Sequence, residues 1–208
     1  REALTSVSNP ELRGLVLAGG RSSRMGADKA GLLVHGCTLL ARSVALLQPF
    51  TRSVHVAVRI DQADDDIRRR FSLLIDVAPL QGPVAGLLAA WMHAPDGAWL
   101  VLACDMPGLT RDAIARLVSA RDPARGGTAW RGEDDDRPEP LCAIWEPATL
   151  ARLAALTRQA GDLPVSPRAV LVASDPLLLD PARQAGLSSL NTPADLHRYL
   201  ESEDGHEP

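Results

Sequence analysis

Apolar positions along the chain alternate between two spacings, and this alternation predicts strands and helices in turn. Short apolar runs predict strands over 14–18, 53–58, 72–76, 98–105, 141–147 and 168–174. Apolar residues at helical spacing predict helices over 38–50, 82–94, 109–120, 147–159 and 191–200. This order favours an α/β fold with a mostly parallel sheet and helices on both of its faces.

One stretch interrupts the pattern. Residues 121–140 are polar and rich in turn-forming residues, and they include the acidic run 133–136. We expect a surface excursion or a hairpin there, with the acidic run as a solvated loop. No linker divides the chain, so we expect an N-terminal extension over 1–13, one domain over 14–200 and a flexible tail over 201–208.

Composition narrows the class of protein. The chain has 208 residues, of which 46% are apolar and 23% charged, as in ordinary globular proteins. Its net charge of −4 argues against nucleic-acid binding, and no apolar run is long enough for a membrane span. The three cysteines are widely spaced and form no CxxC motif, which favours a reducing, cytoplasmic setting. The histidines lack metal-ligand spacing, so zinc is not expected.

The first predicted strand runs directly into a glycine-rich, basic stretch, LVLAGGRSSRMGADK. Glycines after a strand let backbone N–H groups approach an anion, and Arg24 and Lys29 can add full charges. Neither GxxxxGK[ST] nor GxGxxG is present, so the stretch is not one of the two common phosphate-binding motifs. A tight turn with solvated charges explains the glycines alone equally well.

Two aspartates strengthen the case for a ligand site. Asp105 follows the long apolar run 98–104, and Asp76 ends the short run before it. The carboxyl ends of parallel strands meet at one edge of a sheet, where α/β proteins bind ligands. A phosphate loop with such a carboxylate suits Mg²⁺-assisted chemistry on a nucleotide. The alternative for Asp105 is a turn or helix-capping role before Pro107.

Five stretches in a fixed order extend this picture: LAGGRSSRMGADK, GPVAG, CDMPGL, PEPLCAIW and NTPADL. Together they resemble the molybdenum cofactor guanylyltransferases, in the nucleotidyltransferase superfamily, from Leu15 to about Leu200. The resemblance implies a Rossmann-like three-layer α/β/α sandwich of the nucleotide-diphospho-sugar transferase type. It also implies Mg²⁺ and a reaction in which the terminal phosphate of molybdopterin attacks the α-phosphate of GTP. Transient handover partners are plausible, whereas nucleic acid and membrane are not expected.

The resemblance also implies roles for individual residues. Arg24, Lys29 and Asp105 would be catalytic, with the two cations on the triphosphate and Asp105 on Mg²⁺. Gly82 and Gly86 would let the following helix approach the base. The nucleotide site would comprise Leu17, Ala18, Gly19, Gly20, Lys29, Asp76, Gly82 and Asp105. Asn191 would face the pterin.

One departure from the family keeps alternatives open. Ala57 stands where these enzymes often have an asparagine, while Arg59 is retained. The Ala18-Gly19-Gly20 order and GPVAG favour guanine over cytosine. Cytidylyl transfer to molybdopterin, nucleotidyl transfer to a sugar phosphate, and nucleotide binding without catalysis remain the alternatives.

Cysteine and tryptophan side chains offer further candidates. Cys104 and Cys142 are expected to be buried apolar residues rather than nucleophiles. Most tryptophans are expected in the core or at its rim, with pterin stacking as the alternative for Trp130 or Trp145.

Overall fold

A twisted β-sheet forms the centre of the protein in the computed structural model. The structure describes residues 9–20, 28–132, 135–161, 163–181 and 186–204, with side chains up to 201 in the last range. The strands are β1 (Leu12–Leu17), β2 (Leu33–Val34), β3 (Cys37–Thr38), β4 (Val54–Val58), β5 (Leu73–Ile75), β6 (Ala98–Ala103), β7 (Gly127–Arg131), β8 (Pro138–Trp145) and β9 (Leu177–Leu179).

Within the described residues, seven of these strands form one sheet in the order β5-β4-β1-β6-β8-β7-β9. Strand β8 is antiparallel to both of its neighbours, and the other adjacent pairs are parallel. The mostly parallel sheet predicted from the sequence is therefore confirmed. Strands β2 and β3 pair separately as a small antiparallel ribbon.

The order in which the chain adds strands to the sheet reverses beside β1. From β1 the chain continues to β4 and then to β5 at the sheet edge, before it returns to β6 on the other side of β1. The connections that leave β1 and β6 therefore diverge, and this divergence opens a crevice at the carboxyl ends of the two strands. Ligands of open α/β sheets bind at such a switch point.

Helices cover both faces of the sheet and complete three layers. They are α1 (Leu39–Leu47), α2 (Pro83–His93), α3 (Arg111–Ser119), α4 (Pro147–Ala160), α5 (Pro167–Val172) and α6 (Pro193–Asp204). On one face, α1 and α3 bury residues such as Val44 and Ile114 against the sheet. On the other face, α2, α4 and α5 do so with Leu87, Leu153 and Leu171. The predicted α/β/α sandwich is confirmed.

The predicted strand over 168–174 is wrong, because this segment forms helix α5. Ser166 caps it by accepting a hydrogen bond from the Ala169 N–H, and Pro167 occupies the first turn. Val170 and Leu171 are buried in the core between α4 and the sheet. A short apolar run does not separate strand from helix, whereas the Ser-Pro start is a helix signal. The strand of this region is β9, a few residues later.

The polar region 121–140 takes part in a hairpin, which is one of the two forms predicted from the sequence. Strand β7 pairs with β8, with an irregularity in register between Ala129 and Arg131. Residues 133 and 134 of the acidic run lie outside the described residues. Trp130 and Trp145 are 0% exposed, so the alternative in which either stacks on a pterin is wrong.

The C-terminal helix packs beside the β2–β3 ribbon. Val34, Leu39 and Leu190 form a small buried cluster there, against which Leu196 and Tyr199 also pack. Thr192 caps α6 by accepting from the Asp195 N–H, and Asp195 accepts in return from the Thr192 N–H. The ordered elements run slightly beyond the expected bounds 14–200, since β1 begins at Leu12 and α6 ends at Asp204. No helix of the described residues is long and apolar enough to cross a membrane.

Candidate active site

A cavity of about 360 Å³ lies at the carboxyl ends of β1 and β6. It is lined by Leu17, Gly19, Gly20, Lys29, Ala57, Asp76, Gly82, Pro83, Ala103, Cys104, Asp105, Leu141 and Asn191. Most of the site residues predicted from the sequence are thus brought together. Three are not among the lining residues: Arg24 lies outside the described residues, Ala18 is buried beneath the glycines, and Gly86 lies in the helix–sheet contact.

Lys29 lies at the polar centre of this cavity. Its Nζ donates to Asp105 Oδ2 at 2.9 Å and to Asn191 Oδ1 at 3.1 Å. The side chains of Lys29 and Asp105 are only 16% and 20% exposed. The Leu190 N–H donates to the Asp105 carbonyl at 2.8 Å, which fixes the segment before α6 against the end of β6. Three distant parts of the chain therefore converge on one ammonium group.

Asp28 fixes the start of the 3₁₀ turn Lys29–Gly31 that carries this lysine. Its carboxylate accepts a hydrogen bond from the Ala30 N–H at 3.2 Å, in the manner of a helix cap. Ala30 itself is buried in the core below α1. Lys29 is therefore presented from a short, anchored element.

Two arginines from the β4–β5 connection hold the backbone at the end of β1. Arg68, which is 1% exposed, donates to the Ala18 carbonyl and to the Asp28 carboxylate. Arg59 donates from Nη1 to the Gly19 carbonyl at 2.7 Å. The sequence reasoning missed Arg68, since Asp28 and Ala18, the partners that connect it to the site, are 40 and 50 residues away. The only local sign was a run of acidic and basic residues over 64–70.

Asp76 faces the glycines from the end of β5. A Cβ on Gly19 would lie 2.5 Å from Asp76 Oδ2, so any other residue there would displace the Asp76 carboxylate. Burial raises the pKa of Asp76 to about 6, although the nearby Arg59 guanidinium acts in the opposite direction. The Asp76 carboxylate accepts no hydrogen bond from the described side chains and backbone, so it is available to a donor on a ligand.

The two glycines of GPVAG have different positions. Gly82 lines the cavity with a φ of +70°, a conformation that suits glycine, and α2 begins at the next residue. A Cβ on Gly86 would lie 2.6 Å from Leu17 Cδ2 and 2.9 Å from the Ala57 Cβ. Gly86 therefore lets α2 approach the sheet, and it supports the cavity wall from behind.

The two core cysteines are confirmed as buried. Cys104 is 8% exposed, and burial with the adjacent Asp105 charge raises the pKa of its thiol to about 12. Burial likewise raises the pKa of Cys142, which is 0% exposed. A thiol with such a pKa holds its proton at neutral pH and is a poor nucleophile.

The chain is similar to proteins of known family. The profile of the MobA-like NTP transferase domain matches residues 14–177. A molybdenum cofactor guanylyltransferase from Rhizobium johnstonii is 34% identical over 152 residues, which is 70% of this chain and 68% of that protein. A molybdenum cofactor biosynthesis bifunctional protein from Synechocystis is 28% identical over 91% of this chain, and the chain spans about half (54%) of its length.

Solved structures agree on the fold. The molybdopterin-guanine dinucleotide biosynthesis protein A from Archaeoglobus fulgidus superposes with a TM-score of 0.75 at 21% identity, over 93% of this chain and 99% of that chain. The 2-C-methyl-D-erythritol 4-phosphate cytidylyltransferase from Thermus thermophilus gives 0.68 at 19% identity, over 93% and 99%. Since the match over residues 14–177 spans most of the chain and includes every cavity-lining residue except Asn191, this chain belongs to the family of MobA-like NTP transferase domains.

Proposed function

We propose that this chain transfers GMP from GTP to the terminal phosphate of molybdopterin, which forms the guanine dinucleotide of the cofactor. A phosphate oxygen of the pterin forms a bond to the α-phosphorus of GTP. The bond from that phosphorus to the bridging oxygen breaks, and pyrophosphate leaves. The relatives named as molybdenum cofactor guanylyltransferases support the choice of both substrates.

The convergence of Lys29, Asp105 and Asn191 in one cavity is the observation on which the proposal depends. A lysine and a carboxylate at the strand ends suit a triphosphate and its counterion. Nucleotidyl transfer between phosphates needs charge neutralisation more than a strong base, because the attacking phosphate is already anionic. Lys29 would therefore bind the triphosphate and stabilise the charge that develops as pyrophosphate leaves.

The opposite wall suits the nucleoside part of the nucleotide. Leu17 and Ala57 give it an apolar surface, and Asp76 offers a carboxylate that can accept hydrogen bonds from the base or ribose. Gly19 and Gly20 leave room for close approach to the backbone. Asn191, on the side of α6, would face the pterin.

Asp105 fits Mg²⁺, which we propose as the cofactor. Its oxygens are hard ligands, and Oδ1 accepts no hydrogen bond from the described residues. No group of three or more potential metal ligands occurs among those residues. The single Asp105 carboxylate agrees with Mg²⁺, which is commonly held by one or two carboxylates and the phosphates of a nucleotide. When bound, Mg²⁺ would supply charge neutralisation on the triphosphate.

Ala57 keeps cytidylyl transfer as a second candidate, because it lines the cavity where the family often has a larger amide. The Ala18-Gly19-Gly20 order and the GPVAG segment favour GTP. Transfer to a sugar phosphate and nucleotide binding without catalysis are the other outcomes to separate. Handover partners and a reducing, cytoplasmic setting belong to the same proposal, and the free cysteines Cys37, Cys104 and Cys142 agree with the latter.

The test is product formation from molybdenum-loaded molybdopterin and Mg²⁺ with GTP, CTP or ATP in parallel. We expect a dinucleotide and pyrophosphate with GTP. Product with CTP alone would replace the proposal with the cytidylyl activity and implicate Ala57. Tight GTP binding without product, also with sugar phosphates as acceptors, would leave a nucleotide-binding role.

A further inference from the structure

Arg68 is the most deeply buried cation of the described residues, with 1% of its surface exposed. A guanidinium has five N–H groups, and the structure accounts for all five. Nε and one Nη2 N–H donate to the Ala18 carbonyl at 3.3 and 2.9 Å. The other Nη2 N–H and one of Nη1 donate to the two Asp28 oxygens at 2.9 and 2.5 Å. The remaining Nη1 N–H donates to Asp65.

The partners of Arg68 lie at the two ends of the glycine-rich stretch. Ala18 precedes Gly19 and Gly20, and Asp28 precedes Lys29. Asp65 holds the guanidinium from its own turn and also accepts from the Ile67 and Arg68 N–H groups. One planar, buried cation therefore joins the start and the end of the stretch to the β4–β5 connection.

The hydrogen bond to Ala18 also orients a peptide plane. In a trans peptide the C=O and the following N–H point in opposite directions, so a carbonyl directed at Arg68 turns the Gly19 N–H away from it. Arg59 does the same for the next peptide through the Gly19 carbonyl. Neither the Gly19 nor the Gly20 N–H donates to a described residue, and both glycines line the cavity. The consecutive Gly19 and Gly20 N–H groups are thus available to bind an anion.

We infer that Arg68 is a positioning residue for phosphate binding: it sets the direction of the glycine N–H groups and their distance from Lys29. This inference rests on the proposed nucleotide chemistry of the same site. Arg68 acts through the backbone of Ala18 and through Asp28, and it has no N–H group left for a phosphate.

Arg121 provides a matched control. It is also a largely buried arginine in a bidentate pair, with Glu146 at 2.7 and 3.0 Å, and it also donates to a backbone carbonyl, that of Pro10. Pro10 precedes β1, so this pair lies at the opposite edge of the sheet from the cavity. Arg121→Met leaves the buried Glu146 carboxylate without its cation, and Arg68→Met removes the buried cation that the partly exposed Asp28 and Asp65 share. Both variants should lower thermal stability.

The experiment compares the two variants with the wild-type chain in GTP binding and in hydrogen exchange of the ligand-free protein. We expect Arg68→Met to weaken GTP binding by roughly tenfold or more, since misplaced binding groups lose most of their effect. Exchange should accelerate in peptides covering 17–20 and 28–31. Arg121→Met should keep wild-type affinity and wild-type exchange in those peptides.

Three results would overturn the inference: Arg68→Met with wild-type affinity, Arg121→Met with an equal loss, or unchanged exchange at both ends of the stretch. If Arg68→Met does not fold, Arg68→Ala with guanidinium ion at millimolar concentration decides instead. Restored GTP affinity with guanidinium but not with sodium chloride supports positioning, and no restoration opposes it. If the wild-type chain binds no GTP, the proposed function is rejected. Accelerated exchange in Arg68→Met would then still show that Arg68 holds residues 17–20 and 28–31 in place.

Discussion

The Lys29 ammonium lies 2.9 Å from the Asp105 carboxylate, although the two residues are 76 positions apart in the chain. Each side chain is largely shielded from water, and the two form an ion pair. Lys29 is also the only lysine of the chain. Removal of either side chain therefore changes the charge of the cavity as well as its contacts. Loss of Lys29 makes the cavity more negative, and loss of Asp105 makes it more positive.

Lys29→Ala is expected to weaken GTP binding by roughly tenfold to a hundredfold and to reduce turnover with it. The variant loses a phosphate-binding cation and leaves Asp105 as an uncompensated negative charge facing the triphosphate. Titration calorimetry with GTP measures the effect, and Lys29→Arg tests whether charge alone suffices. Unchanged affinity in Lys29→Ala would reject its phosphate role.

The single lysine permits an independent check of the same contact. An amine-reactive reagent can modify Lys29 and the N-terminal amine only, so peptide mass spectrometry resolves the two. GTP should protect Lys29 and leave the terminal amine unprotected. Equal reactivity of Lys29 with and without GTP would place the triphosphate elsewhere.

Asp105→Ala is expected to fold and to lose transfer activity by roughly a hundredfold or more, while GTP binding in the absence of Mg²⁺ is kept or strengthened. The reason is that the variant loses the proposed Mg²⁺ ligand but also removes a negative charge beside Lys29. The matched control is Asp96→Ala, an exposed aspartate just before the other end of β6. Normal turnover of Asp105→Ala would reject the proposed role of Asp105 as the Mg²⁺ ligand.

The sequence was most informative where function depends on residues adjacent to a strand end. The approach of Gly19, Lys29 and Asp105 followed from their places after β1 and β6, since parallel strands end at one edge. The sequence could not indicate Arg68, because a buried arginine is explained only by partners that the fold brings to it. Helix α5 was missed for a related reason: burial of Val170 and Leu171 against α4 decides its form, and a short apolar run suits either structure.

Gly86→Ala is expected to lower the free energy of unfolding by roughly 1–2 kcal/mol, because the added methyl group meets Leu17 and Ala57 at less than van der Waals distance. The higher helix propensity of alanine offsets part of the cost. Since Leu17 and Ala57 line the cavity, GTP affinity should fall as well. Urea denaturation measures the first effect.

Gly20→Ala is the control for this stability effect. A Cβ on Gly20 meets nothing within 4 Å, so its free energy of unfolding should stay within about 0.5 kcal/mol of the wild type. An equal loss of stability in the two variants would show that the helix–sheet distance at Gly86 is not the cause.

Asp76→Asn is expected to make the ligand-free protein more stable at high pH and less able to bind GTP. Folding raises the pKa of this carboxyl from 3.8 to about 6, because burial disfavours its charge. The folded state therefore binds more protons than the unfolded state between these values, and the stability due to Asp76 is lost as pH rises through about 6. The asparagine has no charge to bury and lacks this loss.

The gain should be roughly 1–2 kcal/mol near pH 8, after allowance for partial solvent screening, and close to zero near pH 4. Urea denaturation across this range measures it, with the exposed Asp96→Asn as a control that should follow the wild-type curve. Parallel curves for Asp76→Asn and the wild type would mean that the carboxyl is not strained by burial. A pH-dependent gain together with weaker GTP binding would show that the chain keeps a costly carboxylate beside Gly19 because the nucleotide uses it.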